Sequence, residues 1–401
     1  MAQDEPEDEE EGEAQWVFAE AALARAREVA SEQAAQALRR SGATAAAAAE
    51  GGAAERRPAA PKPLPLEDAS RLVLFYAQKL PELCELCGAP SEVRWTAVVF
   101  YRRFFVVRSA MEFDPLPMMF ASVHLACKIE EVHEITLDRL LEAADFGADA
   151  SLKARVLSLE LPLLEGLRFQ LLVEPKPDTA LRMLAQELQH LLVQGSAHRR
   201  APATELTEAA WQEVIARAEN VAVELTVRTD AILRWPASIV IAAALSTALD
   251  EQSGRPANEC GDVQALSDVL GALLEGNLEQ EAQRVAVRSM VKEVVLSIQR
   301  LSNEPEITQD SVKEAAKVAR RCHRAFERLR EEATERHEAH RKERKRRWSQ
   351  MKDAACRQVP TPILRDLADL NRKAAADMRR AAADAADEFV IRRPKEDMED
   401  D

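Results

Sequence analysis

Apolar residues recur in steps of three and four along most of this chain, interrupted by short Pro-, Gly- and charge-rich joints. Trp16, Leu23, Ala30 and Leu38 form such a stripe and predict an N-terminal helix over 16–40. A denser apolar block over 66–172 reads as five helices: Glu67–Leu86, Glu92–Val107, Pro117–Cys127, Leu137–Ala144 and Leu152–Leu167. After Val173-Glu174-Pro175, a second block over 173–301 reads as Asp178–Leu192, Thr204–Arg228, Pro236–Leu249, Val263–Leu274 and Asn277–Leu301. The central helices of the two blocks superpose at an offset of 121 residues, Pro115 to Ala121 on Pro236 to Ala242. Each opens on a proline and runs through large apolar residues to an alanine, which suggests a duplication.

A last stripe, Val312, Ala315, Ala319, Cys322, Phe326, Leu329 and Ala333, alternates three and four residues apart inside a charged C-terminal helix over 302–350. It predicts packing on another helix of the same chain, with a coiled coil as the alternative. Residues 41–65, rich in Ala, Gly and Pro, read as a linker, and 1–15 as a disordered acidic tail. An Ala-rich charged extension ending in a second acidic run occupies 351–401.

Composition narrows the class. With only 12 Gly and 4% aromatic residues among 401, a sandwich or barrel is disfavoured and an all-α protein expected. The longest nearly apolar run, Trp235–Leu249, is too short for a membrane span, and Met1 leads into acids rather than a signal sequence, so a soluble cytosolic or nuclear protein is expected. The net charge of −15 is concentrated at the ends: 1–13 carry −8 and 395–401 carry −4, leaving −3 for the 381 residues between.

Motifs for catalysis are absent: no phosphate-binding glycine loop, no zinc-protease helix and no nucleophile elbow. Cys84-Glu-Leu-Cys87 reads as two cysteines on a last helical turn, one of them buried, because no matching pair of zinc ligands accompanies it. No metal and no cofactor is therefore expected. Arg341, Lys342, Arg344, Lys345, Arg346 and Arg347 form a basic cluster, read as a nuclear signal, a nucleic-acid patch or a solvated helix face.

The informative chemistry is Lys128, which ends an apolar helix, and Glu160, which lies within another. A carboxylate there is costly unless paired. The two could form a structural ion pair, stand as separate surface charges, or make a polar site at the rim of a hydrophobic interface. Pro162, two residues after Glu160, predicts a kink in the fifth helix and a displaced Glu160.

The stretch Ala126-Cys-Lys-Ile-Glu-Glu131 resembles the close of the third helix in the cyclin box. The two blocks resemble tandem five-helix cyclin repeats over about 66–301. Ser109-Ala-Met-Glu-Phe-Asp-Pro115, Trp16-Val-Phe18 and Arg321-Cys-His323 are similar to the corresponding segments of the H-type transcription cyclins. That resemblance implies a non-catalytic regulatory subunit of a cyclin-dependent kinase. Lys128 and Glu160 would bond backbone groups of the kinase, and Leu125, Ile129, Leu164 and Phe169 would form the apolar ground against its regulatory helix. It further implies an assembly-factor third subunit, membership of the transcription and repair factor TFIIH, phosphorylation of other such kinases and of the polymerase C-terminal repeat, and a nuclear location. No membrane and no strong direct nucleic-acid partner is expected. Leu249, at the position equivalent to Lys128, places the kinase contact on the first repeat alone. No Met-Arg-Ala-Ile-Leu motif occurs in the first helix, against substrate docking of the cell-cycle type. The alternatives are another transcription-type cyclin such as cyclin C, a TFIIB-like initiation factor (which should carry a zinc ribbon and a basic second repeat), and a helical scaffold without a kinase.

Overall fold

The computed structural model describes residues 16–50, 61–147, 149–193, 207–252, 281–301, 305–358 and 361–390. All regular structure among them is helical. The expected acidic tail over 1–15, the expected helix Val263–Leu274 and the final acidic run lie outside the described residues.

The N-terminal helix α1 spans Glu20–Glu50. It takes in ten residues of the expected 41–65 linker, because the alanines from Ala43 to Ala49 are the strongest helix formers available. The expected first helix of the block is two helices, α2 (Leu66–Ala77) and α3 (Leu80–Cys87). Pro81 explains the break. It sits in the first turn of α3, where its missing N–H costs nothing, whereas a continuous helix would need that donor. Helices α4 (Ser91–Val107), α5 (Pro115–Ile129) and α6 (Leu137–Ala143) follow close to the expected limits. The expected fifth helix is also split, into α7 (Ala150–Ser158) and α8 (Glu160–Gly166), as Pro162 predicts.

The second block holds α9 (Pro177–Val193), α10 (Glu208–Arg228), the short α11 (Ala231–Arg234), α12 (Ala237–Gln252) and α13 (Glu281–Leu301). Then come α14 (Gln309–Gln358) and α15 (Thr361–Val390). The C-terminal helix thus outruns its expected end at 350, and the Ala-rich extension is largely helical.

Helix α4 is the axis of the first block. Trp95, Phe100, Tyr101 and Phe104 are buried along it, and α5, which lies against it, buries Met118 and Phe120. Gly166 lies so close to Phe104 that an added Cβ would stand 2.5 Å from the ring. In the second block α10 and α12 form the centre around Trp211, Ala218, Ile241, Ala242 and Leu245. The N-terminal segment spans both blocks: Trp16 Nε1 donates to Gln170 Oε1 (2.5 Å) and Phe18 N–H to the Leu233 carbonyl (2.7 Å).

Residues up to Glu327 form one compact unit and those from Arg328 another. Within the first, the α14 stripe packs in cis as expected. Val312, Ala315, Ala319, Cys322 and Phe326 are buried, Cys322 Sγ lies 3.7 Å from the Lys62 carbonyl, and His323 Nε2 lies 2.7 Å from the Ala110 carbonyl. The buried stripe ends at Phe326, not at Ala333, which is exposed. In the second unit, the basic cluster 341–347 is solvent-exposed on α14, with Lys342 beside Glu338 (3.7 Å) and Arg347 beside Glu343 (2.5 Å).

Candidate functional site: an exposed ion pair on an apolar rim

Asp114 and Pro115 start α5. The Asp114 carboxylate accepts from the Leu116 N–H (3.2 Å) while Pro115 supplies a preset first turn. Eleven of the fifteen residues of α5 are buried, so its position is fixed by the core. Its last turn ends on Lys128, where a cation suits the carboxyl end of a helix. Glu160 occupies the first turn of α8, where a carboxylate suits the amino end.

Lys128 Nζ donates to Glu160 Oε1 at 2.5 Å. The side chains are 44% and 35% exposed, so this is a surface pair and not a buried one. Pairs of this kind contribute roughly 0.2–1 kcal/mol. The kink at Pro162 therefore does not carry Glu160 away from Lys128. The break at Leu159 makes Glu160 a helix-starting residue facing α5.

Glu130 of the same motif acts inward, whereas Glu131 is exposed. Glu130 accepts from Lys176 Nζ and from Thr96 Oγ1 (2.6 Å), and Lys176 also donates to Thr96 (2.7 Å). This largely buried trio ties the end of α5 to α4 and to the segment between the blocks. His124, one turn before Lys128, is held below the ordinary histidine range by burial and by the Lys128 charge, with Glu160 opposing.

Of the four expected apolar residues, Phe169 is 62% exposed in a left-handed backbone turn, and Ile129 and Leu164 are half-buried. Leu125 is only 4% exposed and supports the surface from beneath. Leu157, Leu161 and Leu172, the last 77% exposed, were not anticipated. Their signal was present: each falls off the apolar stripe of its segment and has no core to enter.

Cys84 and Cys87 are both buried, where one was expected to be, and Cys127 is buried as well. Burial raises all three thiols, Cys127 to about 12, so they behave as small hydrophobes. Among the described residues no group of three His, Cys, Asp or Glu could hold a metal ion, and no helix is long and apolar enough to cross a membrane.

Comparison with known proteins fixes the class. Residues 73–172 match the model of the cyclin N-terminal domain. The fold is shared with a chain in the structure of the CAK complex of Chaetomium thermophilum bound to ATP-gamma-S, with a TM-score of 0.61, 19% identity, and 81% of this chain and 93% of that chain covered. The chain thus carries a cyclin-type domain on an all-α cyclin fold.

Within that class its similarity is to cyclins of the H type. It is 38% identical to cyclin CCL1 of Saccharomyces cerevisiae over 110 residues, covering 27% of this chain and 26% of the relative. It is 27% identical to cyclin-H1-1 of Arabidopsis thaliana over 171 residues, covering 40% of this chain and 49% of the relative. Cyclin-H of Xenopus laevis matches at 32% over 103 residues, covering 25% of this chain and 32% of the relative. The matches span less than half the length of these curated relatives.

Proposed function

We propose that this chain is the non-catalytic regulatory subunit of a cyclin-dependent kinase that activates other such kinases. The observation that carries the proposal is the exposed Lys128–Glu160 pair, with Leu161 next to Glu160 in the chain and Phe169 and Leu172 just beyond α8 all left facing solvent. A pair in water contributes little to stability, and large apolar side chains left in solvent on the same segment suit a partner surface. In the complex, Lys128 and Glu160 would exchange part of their mutual contact for backbone carbonyl and N–H groups of the kinase. The apolar ground of Ile129, Leu164 and Phe169 would hold its regulatory helix. That helix then keeps its glutamate beside the phosphate-positioning lysine, a pair that phosphoryl transfer requires. The chain binds the active conformation better than the inactive one and shifts the population.

In this reading 66–172 is the kinase-binding repeat and 173–301 the second repeat. An assembly-factor third subunit and the TFIIH core are the further partners, in line with the Ser109–Pro115, Trp16–Phe18 and Arg321–His323 matches. The polymerase C-terminal repeat is a substrate of the partner kinase. Arg341, Lys342, Arg344, Lys345, Arg346 and Arg347, exposed on α14, form the nuclear signal. Replacing the last four by alanine in a fluorescent fusion moves it out of the nucleus.

The decisive experiment exchanges the two charges, Lys128→Glu with Glu160→Lys. The swap retains an ion pair, so a purely structural role predicts no loss. On the present reading it abolishes co-purification of the kinase and its activation. Survival of both would overturn the assignment, and mass spectrometry of the wild-type complex names the kinase.

A further inference from the structure

A second site, away from Lys128 and Glu160, lies where α1, α2, the end of α4 and the α10–α11 joint meet. Arg27 and Ser31 of α1, Ser70 of α2, Arg102 of α4, and Arg108, Ser109, Arg228 and Asp230 line a cavity of about 110 Å³. Two guanidinium groups, those of Arg27 and Arg102, thus share one carboxylate, and Arg108 and Arg228 also line the wall beside apolar residues such as Leu66, Val73 and Phe105. Asp230 is already saturated. Arg27 gives it two hydrogen bonds, Nη1 to Oδ2 at 2.8 Å and Nη2 to Oδ1 at 2.6 Å, and Arg102 Nη2 gives a third at 2.5 Å. Arg102 also donates to the Thr229 carbonyl at 2.8 Å. Its side chain is 3% exposed, yet its Nε is buried with no hydrogen-bond partner. Arg228 pairs with Glu224, an exposed residue outside the cavity lining. Arg108 lies over the Phe113 ring.

Burial lowers the proton affinity of Arg102 while Asp230 opposes, and because Arg27 shares that one carboxylate the two guanidinium groups keep a net positive charge between them. Guanidinium forks match the paired oxygens of a tetrahedral oxyanion, and hydroxyls add further donors. The volume is well below the roughly 300–1,000 Å³ of pockets for drug-sized ligands. One phosphoryl-sized group fits this chemistry and a nucleotide does not. We propose that this cavity is an oxyanion site that takes a single phosphoryl group, presented by a phosphoserine or phosphothreonine side chain or as free phosphate. The ligand would couple α1 to both helical blocks. The proposal is independent of the kinase contact.

The test uses the full chain. Binding of inorganic phosphate, and of a short peptide with and without phosphoserine, is measured by calorimetry at constant ionic strength set with chloride, beside the thermal midpoint. Phosphate is expected to raise the midpoint above the chloride control. Arg108→Ala removes a cation that has no carboxylate partner in the cavity, and loss of a charge-assisted bond is expected to weaken binding about tenfold or more. Ser70→Asp places a carboxylate in the cavity and should abolish the phosphate response while the chain stays folded. Tighter binding of the phosphopeptide than of free phosphate identifies a modified protein as the source, and equal binding identifies free phosphate. No shift beyond chloride, or an undiminished response in the folded Ser70→Asp chain, overturns the proposal.

Discussion

The two helical blocks place the same position of their central helices to opposite use. Lys128, at the end of α5, stands in solvent, whereas Leu249, its counterpart 121 residues on, is 5% exposed in the core of the second block. The cores differ too. The first is packed with Trp95, Phe100, Tyr101, Phe104 and Phe120, while the centre of the second relies on Ala218, Ala242, Leu245 and Ala248 around one Trp211. On the proposed reading, a repeated helical frame carries its recognition chemistry on one copy only. The other copy uses the equivalent position for packing.

Substitutions can break that contrast in order of size. Phe104→Ala, in the aromatic axis of the first block, is expected to cost about 3–5 kcal/mol, read as a fall in the urea midpoint. Leu249→Ala should cost about 2–5 kcal/mol and leave kinase capture per folded molecule unchanged. Gly166→Ala forces a methyl against the Phe104 ring and should cost about 1–3 kcal/mol, most of it recovered in the double variant with Phe104→Leu. Lys128→Ala should change stability by less than about 1 kcal/mol while weakening kinase capture, the reverse of Leu249→Ala. If Lys128→Ala destabilised the chain as much as Leu249→Ala does, the contrast between the two positions would collapse.

The smallest effect is one of pH. Burial holds His323 of α14 below its ordinary 6.5; Arg155 pulls the same way, while Asp114, the Ala110 carbonyl and Glu327 oppose. The unfolded chain therefore takes up the proton first. The stability of this joint is full above about pH 6.5 and is lost as the pH falls through the lower folded-state value. His124 is shifted in the same direction, so His323→Gln should flatten only part of the acid slope of the thermal midpoint.

Helix period made the all-α class and most helices legible in the chain. The breaks were legible where proline made them: Pro162 announced the split at Leu159, and Pro81 carried the same signal for the split after Ala77. The extension of α1 through the alanines was obscured by the nearby Gly51-Gly52 and the prolines beyond. At the candidate site, Lys128 and Glu160 stood out as charges in apolar helices, but their 2.5 Å contact joins residues 32 apart and depends on the turn at Leu159. The cluster of Arg27, Arg102 and Asp230 left no linear trace, since it joins residues up to 203 apart whose local patterns are those of ordinary helix surfaces.

That separation bears on how the chain reaches its native state. The N-terminal segment is held by Gln170, 154 residues away, and by Asp230, 203 away. Contacts of such span must close a long loop before they return any favourable energy, so they form after the local helix pairs. During synthesis α1 leaves the ribosome ahead of its binding surface on the far block, which does not exist until about two hundred further residues have emerged. The contacts that tie α1 to the second block are thus among the last to form.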